Sequence, residues 1–281
     1  MFKLFGNKKQ ASARLDNILQ GAKAPSFKAG LMKLLKLMRD PDSDIREITE
    51  ALNWDPGLVV RLLGTVNSAA FGLRREVTSV QHAATILGHS KLEQLVLTIA
   101  VKESLPAGRV EGFDPNRYWN SAFFRASLAR AIAERLHPAE QASSFTAGLL
   151  QDMAIPLLAH AREDYRPILA EWHGTKDVNL QELEQRELGW THEEAGALLG
   201  NEWSLPESLV QSIHGHHHRD KSDFELQPAL RLVALHRETE QEFGLEAIVE
   251  EARGAYGLDP DWLLDSIESS HEQANELSKT M

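Results

Sequence analysis

The sequence predicts an all-α protein. Apolar residues recur at the three- and four-residue spacing of helices along most of the 281 residues, and capping residues stand before many of these runs. No segment shows a convincing alternation of apolar and polar residues, which is the pattern of a half-buried strand. Five helices are predicted within about the first hundred residues, so this half of the chain is all-α.

Composition and charge narrow the classes of function. The chain has 42% hydrophobic and 25% charged residues, no cysteine and a formal net charge of −11. Disulfides, thiolate nucleophiles and cysteine-ligated zinc are excluded, so a metal must use histidine, aspartate, glutamate or water. The negative charge argues against nucleic-acid binding, because phosphate contacts depend on lysine and arginine. No apolar run approaches the length of a membrane span and residues 1–10 are too polar for a signal peptide, so we expect a cytoplasmic protein without membrane insertion.

The first predicted element is a flexible basic tail over residues 1–14, and a series of helices follows it. The first predicted helix of this half ends at Asp40-Pro41 and points Leu31, Leu34, Leu35 and Met38 inward, and the second is capped by Ser43 and points Ile45, Ile48 and Leu52 inward. Asp55-Pro56 opens the third helix. The fourth runs from Val80 to Gly88, and the fifth begins with Ser90 and Glu93 as a capping box. The segment from Pro106 to Asp114 is rich in glycine and proline and is a candidate hinge.

The second half opens with the longest predicted helix, from Asp114-Pro115 to about Leu136. The next predicted helices are the stretch Ser144 to Pro156 and two short helices between Tyr165 and Leu188, the second of which is capped by Asn179. A further helix is capped by Thr191 with Glu194, and two more are started by Leu205-Pro206 and by Pro228. Two weaker helices are predicted around Leu245 to Ala255 and from Asp261 onward.

Helical spacing places polar side chains at the inward edges of five separate helices: Ser121, Asp152, His192, His217 and His236. Several titratable groups that converge among apolar residues are typical of a functional site. A single histidine on an apolar face, however, is more often a hydrogen-bonded core residue. Both interpretations stay open at this point.

The run from His214 to His218 allows two interpretations as well. His214 has the spacing to share a metal with His217 or His218, since neighbouring helical turns bring such rings together. A polar run at a helix C-terminus also suits the negative end of the helix dipole and can simply be solvated.

Several fragments, in this order and spacing, resemble the HDOD domain, the bacterial signalling branch of the HD phosphohydrolase superfamily. They include Asp55-Pro56-Gly57-Leu58, Asn67-Ser68-Ala69, Ile86-Leu87-Gly88, Ala147-Gly148-Leu149-Leu150-x-Asp152, Trp203-Ser204-Leu205-Pro206 and His216-His217. The resemblance covers about Leu15 to Glu242. It implies a two-lobed helical bundle with an N-terminal lobe over residues 15–112, a lobe resembling the HD catalytic core over 113–243, and C-terminal helices over 244–281.

The resemblance also implies where the metal ligands of the superfamily fall in this chain. Three positions are degenerate: Ser121 and Gln151 stand where histidines are expected, and His236 stands where the final aspartate is expected. The retained ligand-like residues are Asp152, His192, His216 and His217. A dinuclear hydrolase needs more hard or imidazole donors than these positions supply. A single divalent ion at Asp152, His192, His217 and His236 stays open, as does a structural site in which Asp152 pairs with a protonated histidine.

The expected function is therefore a non-catalytic signalling module that acts through protein–protein interaction, with no catalytic residue and no cofactor. The implied partners are signalling proteins such as a kinase, a diguanylate cyclase or a phosphodiesterase, and nucleic acid is not among them. Two alternatives remain: a divergent metal-dependent phosphohydrolase that acts on a nucleotide or cyclic dinucleotide, and a sensor that binds a nucleotide without hydrolysing it.

Overall fold

The computed structural model of the chain describes residues 8–68, 71, 73, 75–176, 178–217, 226–237 and 244–280. These residues form α-helices with two short 3-10 helices at Pro138–Glu140 and Glu163–Tyr165, and no strand occurs among them apart from the isolated bridge between Val110 and Phe113. The predicted all-α, two-lobed fold is confirmed. Among the same residues, no helix combines the length and the apolar character needed to cross a membrane.

The N-terminal lobe is built from α2 (Ala29–Met38), α3 (Ile45–Asn53), α4 (Pro56–Val66) and α5 (Val80–Ser104). The side chain of Asp55 accepts a hydrogen bond from the backbone N–H of Leu58, which confirms the predicted cap of α4. Gly88 has a φ of 73° and breaks the helical path inside α5, at the position where a helix end was predicted.

The cap of α3 corrects the prediction that Ser43 starts this helix. Asp44 is the N-cap, because its carboxylate accepts from the backbone N–H of Glu47 while the Glu47 side chain accepts from the backbone N–H of Asp44. Ile45, which was expected to point inward, is 40% exposed.

The first helix, α1 (Lys8–Ile18), differs from the predicted flexible tail over 1–14. Residues 1–7 lie outside the described residues, but 8–14 are helical. Ala11 and Leu15 are buried, and the Arg14 guanidinium is 2.7 Å from a carboxylate oxygen of Glu194 in the C-terminal lobe. Burial of this apolar face stabilises the helix, so α1 is part of the packed structure.

The C-terminal lobe contains α6 (Pro115–Leu136), α7 (Gln141–Leu150), α8 (Ala154–Ala161), α9 (Arg166–Gly174), α10 (Leu180–Leu188), α11 (His192–Glu202), α12 (Glu207–Gly215) and α13 (Pro228–Val233). The predicted bounds of α6 are confirmed, and so are the caps Asn179 and Thr191. The buried α6 packs against α7, α13 and the last helix, so it forms the axis of this lobe.

The two terminal helices are α14 (Leu245–Tyr256) and α15 (Pro260–Thr280), close to where they were predicted. Helix α15 lies along α6 and also touches α4. The N-terminal segment contacts the C-terminal lobe as well, since the Trp203 ring N–H donates to the carbonyl oxygen of Pro25 and Arg39 donates to that of Ser204. The hinge proposed at Pro106 to Asp114 stays a prediction.

Candidate functional site

The candidate site lies at the end of α7, where a close helix contact fixes the position of a buried carboxylate. A Cβ atom at Gly148 would lie 3.0 Å from the Arg125 carbonyl oxygen in α6, so only glycine allows the two helices to approach this closely. Gln151 and Asp152 follow in the turn between α7 and α8, and both are buried. The sequence prediction that Asp152 is buried and needs a partner is confirmed.

The partner that the sequence did not reveal is Arg125. This arginine is only 2% exposed, and its Nη2 atom is 2.9 Å from Asp152 Oδ2. Its Nη1 atom donates a 3.2 Å hydrogen bond to the hydroxyl oxygen of Ser121, one turn earlier in α6. Ser121 therefore occupies the position of an expected histidine and orients a guanidinium there.

The second oxygen of Asp152 faces two imidazole rings. Its Oδ1 atom is 3.3 Å from Nε2 of His192 and 3.1 Å from Nε2 of His216, and these two nitrogens are 3.3 Å apart. The His216 Nδ1 atom lies 2.7 Å from the carbonyl oxygen of Ile213, which only accepts, so Nδ1 carries the hydrogen. The other ring nitrogen of His216, Nε2, faces Asp152 and His192.

A second carboxylate, Glu184, orients His192 from the other side. Its Oε2 atom accepts a 2.7 Å hydrogen bond from His192 Nδ1 and a 2.9 Å bond from the backbone N–H of the same residue. The hydroxyl group of Tyr165 donates to the other oxygen of Glu184. Since both ring nitrogens of His192 face carboxylates, the arrangement favours the imidazolium form.

The pKa values follow from these contacts. Burial alone would raise the pKa of Asp152, but Arg125 and the hydrogen bonds from the two histidines outweigh burial and hold it well below its ordinary value. Burial likewise opposes protonation of His192, yet Glu184 and Asp152 raise its pKa well above the ordinary value. The site thus holds two buried cations beside two buried carboxylates.

His217 completes the cluster in a neutral form. Burial lowers the pKa of His217 well below its ordinary value, and the nearby His216 and His192 rings lower it further. The backbone N–H of His217 donates a 3.0 Å bond to Glu193, a fully buried carboxylate that also accepts a 2.6 Å bond from the Gln181 side chain. Glu193 therefore fixes the turn that carries both later histidines. His218 lies outside the described residues.

The donors that converge are Asp152, His192, His216 and His217, whose ligand atoms lie within 4.8 Å of one another. The predicted single-ion set contained His236 in place of His216, and this part of the prediction is corrected. Helix α13 ends at Val233, so His236 lies beyond its regular stripe and its ring packs 4.4 Å from the ring of Phe124, measured between centroids. Burial, Arg125 and His271 lower the pKa of His236 well below its ordinary value.

Gln151 makes a structural contact with α13. It is 1% exposed, and its side-chain amide donates a 2.9 Å bond to the carbonyl oxygen of Leu230 in α13. This bond connects the turn after α7 to α13. It also gives the buried amide nitrogen of Gln151 the hydrogen-bond acceptor that a buried donor requires.

Comparison with known proteins identifies the family. The sequence profile of the HDOD domain matches residues 24–219, which is more than half of the chain. The chain belongs to the HDOD domain family. The resemblance expected from the sequence, over about Leu15 to Glu242, is thereby confirmed over a somewhat narrower range.

Three relatives of this HDOD chain illustrate the likeness. An uncharacterised protein of Treponema pallidum (strain Nichols) is 27% identical over an alignment of 228 residues, and the alignment covers 79% of this chain and 42% of that longer protein. An HDOD domain protein of unknown function from Geobacter sulfurreducens has a TM-score of 0.72 at 18% identity, with 98% of this chain and 99% of the other covered. A proposed phosphohydrolase from Shewanella amazonensis SB2B has a TM-score of 0.75 at 24% identity, with 96% and 97% covered. At these identities, the two structures show a common fold.

A cavity of about 290 Å³ adjoins the site of this HDOD chain and is bordered by Asp152, His216, His217 and His236. Three basic residues, which the sequence analysis did not connect with the site, also line it: Lys176, Arg231 and Arg237. The guanidinium of Arg237 is engaged, because it donates to the backbone carbonyls of Trp172, Thr175 and Lys176. Lys176 is exposed at the cavity and Glu251 adds one carboxylate.

Proposed function

We propose that this HDOD protein is a non-catalytic signalling module that acts through protein–protein interaction. The observation that carries the proposal is the buried Arg125 guanidinium, whose Nη2 atom is 2.9 Å from Asp152 Oδ2. In a metal-dependent hydrolase the retained aspartate binds a cation that activates water. Here a side chain of the protein itself supplies the positive charge beside that aspartate.

The fixed guanidinium disfavours a divalent ion at the same carboxylate. A single charge and a double charge roughly 5 Å apart repel by about 7 kcal/mol at an effective dielectric constant of about 20. The raised pKa of His192 adds a second obstacle, because an imidazolium must lose its proton before the ring can bind a metal. The donor set therefore fits a self-neutralised polar cluster better than a catalytic metal centre.

The degenerate positions support the same conclusion. The Ser121 hydroxyl accepts a hydrogen bond from Arg125, and the amide nitrogen of Gln151 donates to the backbone of α13, so both side chains have structural contacts. We expect the module to regulate a kinase, a diguanylate cyclase or a phosphodiesterase by contact, as the resemblance to signalling proteins implies. Catalysis by this chain then has no role in the signal.

Metal analysis and a hydrolysis assay on the purified chain test the proposal. We expect clearly less than one Mn, Fe or Zn ion per chain, and no Mn-dependent hydrolysis of a cyclic dinucleotide above that of an Asp152→Ala variant. Asp42→Ala removes an exposed carboxylate and serves as the matched control. Stoichiometric metal together with turnover that disappears in Asp152→Ala but not in Asp42→Ala would reverse the choice.

A divergent phosphohydrolase is a second candidate, because the four donors within 4.8 Å are sufficient in number for one ion. A nucleotide sensor is a third, and the cavity beside the cluster favours it, since Lys176 and Arg231 could face a phosphate there. Metal with turnover selects the phosphohydrolase, whereas saturable nucleotide binding without turnover selects the sensor.

A further inference from the structure

A groove between the two terminal helices is separate from the histidine cluster. It has a volume of about 740 Å³ and its apolar residues are Leu245 and Val249 on α14, Leu264 and Ile267 on α15, and Pro260 at the start of α15. Leu245 and Val249 lie four residues apart, and Leu264 and Ile267 three apart, so each pair forms a stripe along one face of its helix. The groove is therefore an apolar channel between two helices.

The apolar residues of the groove differ in exposure, since Ile267 is buried, Leu245 and Val249 are partly buried, and Leu264 is exposed. Leu264 is 53% exposed, although large apolar side chains elsewhere in the described residues are mostly buried. Val249 is only half-buried, while its neighbours Ile248 and Ala252 face the interior and are fully buried. Helix α14 thus has one apolar face, which is buried at Ile248 and Ala252 and partly exposed at its edge, at Leu245 and Val249, and a partly exposed apolar edge is typical of a surface that a partner covers.

The rim of the groove carries two carboxylates, Glu246 and Glu250, and one guanidinium, Arg253. Glu246 and Glu250 lie four residues apart on α14, both are exposed, and neither takes part in an ion pair with another described residue. Residues 245–280 contain nine carboxylates and two basic side chains, so these two helices carry a net charge of −7 out of −11 for the whole chain. The two helices that form the groove therefore carry most of the net negative charge of the chain.

We propose that the groove binds a basic amphipathic helix of a partner protein. An apolar channel between two helices accepts the apolar face of such a helix, whose residues recur at three and four positions, and the two carboxylates of the rim pair with its lysine and arginine side chains. The proposal rests on the proposed function, since it assigns the surface and the class of partner to a module that acts by contact.

The charge decides among the possible occupants. A second copy of the chain would bring two acidic helix pairs together, each with a net charge of −7 over residues 245–280, and such like-charge contact is costly. An anionic membrane surface is repelled for the same reason. A cationic helix gains both apolar burial and charge pairing, so complementarity selects it.

The test uses a fluorescent Leu/Lys amphipathic peptide of about four helical turns as the probe, with a Leu/Glu peptide and a scrambled Leu/Lys peptide as controls. Binding is followed by anisotropy on the intact chain. Leu264→Ser, at an exposed position, is expected to weaken binding about tenfold, because one leucine contact is lost. The double variant Glu246→Lys/Glu250→Lys is expected to weaken it by at least the same factor.

The matched control is Glu272→Lys/Glu276→Lys, which changes the net charge by the same amount at exposed positions of α15 outside the groove. We expect this variant to stay within about threefold of the unaltered chain. Equal weakening by both charge variants, equal binding of the scrambled peptide, or no effect of Leu264→Ser would each overturn the groove assignment.

The outcome is independent of the metal and hydrolysis assays. If the peptide does not bind, the groove is rejected as the binding surface, but a non-catalytic module with another interface is still consistent with the result. If metal-dependent turnover is found, the non-catalytic function is rejected whether or not the peptide binds.

Discussion

Replacing Arg125 with methionine is expected to lower the free energy of unfolding by about 3 kcal/mol. The substitution removes the charge and keeps an unbranched apolar side chain. Arg125 is 2% exposed and Asp152 is 9% exposed, so the pair is shielded from water. Removal of one member of a buried ion pair typically costs about 3–5 kcal/mol, because the other charge stays buried without compensation. Asp152 keeps His192 and His216 as partners, which places the expected cost near the lower end.

Urea unfolding at pH 7, followed by circular dichroism, measures this cost. Arg186→Met is the matched control, since Arg186 also pairs with carboxylates but its side chain is 61% exposed, and we expect no measurable change in the free energy of unfolding there. A double-mutant cycle of Arg125→Met with Asp152→Asn should give a coupling energy of about 2 kcal/mol. The assignment of Arg125 as the internal cation fails if Arg125→Met costs no more than the control, or if the two substitutions are additive.

Three further predictions concern other contacts. Gly148→Ala should lower the free energy of unfolding by about 1–3 kcal/mol in urea, since the added Cβ lies 3.0 Å from a carbonyl oxygen of α6, whereas Gly30→Ala meets nothing within 4 Å and should cost nothing. Tyr165→Phe removes a buried donor from Glu184 and should cost about 1–3 kcal/mol in the same measurement. Burial and two nearby arginines lower the pKa of His173 from 6.5 to about 4, so between these two pH values the unfolded chain binds a proton that the folded protein does not. The free energy of unfolding should therefore fall as the pH falls from about 6.5 to about 4. His173→Gln should flatten this part of the curve of urea midpoint against pH.

Each of these has its own contrary result. Equal stability of the two glycine variants would mean that α6 and α7 separate without cost. An unchanged Tyr165→Phe variant would mean that water replaces the phenol at Glu184. A pH profile identical in His173→Gln would show that this ring does not titrate differently in the folded and unfolded chains.

Most of the fold could be predicted because helices depend on local signals. Asp114-Pro115 and the apolar stripe beyond it define α6 over its full length, and Thr191 is a cap with its partner three residues on. Even the error at α3 had a local signal. Glu47 follows Asp44 by three residues, whereas the residue three after Ser43 is an arginine, so the capping-box spacing favours Asp44.

The flexible tail was wrong for a similar reason. Ala11, Leu15 and Ile18 recur at four and three residues, which is a helical stripe, but the basic residues at the start of the chain suggested a solvated segment. The stripe is short, and an isolated helix of this length is marginal in water. Packing against α11 stabilises it, and that contact joins residues far apart in the sequence.

The candidate site was predicted only in part, because periodicity gives the direction of a side chain from its own helix axis and not the neighbour that it meets. Asp152 and His192 were placed correctly on inward edges, yet the choice between His216 and His236 depended on where two helices end. Arg125 lies four residues after Ser121, so both side chains point to the same face of α6, and an arginine on an otherwise apolar face requires a buried anion. That anion is 27 residues away along the chain, and the Gly148 contact brings α6 and α7 close enough for the two to meet. An inward arginine four residues after Ser121 was therefore the one sequence signal from which the ion pair with Asp152 could have been inferred.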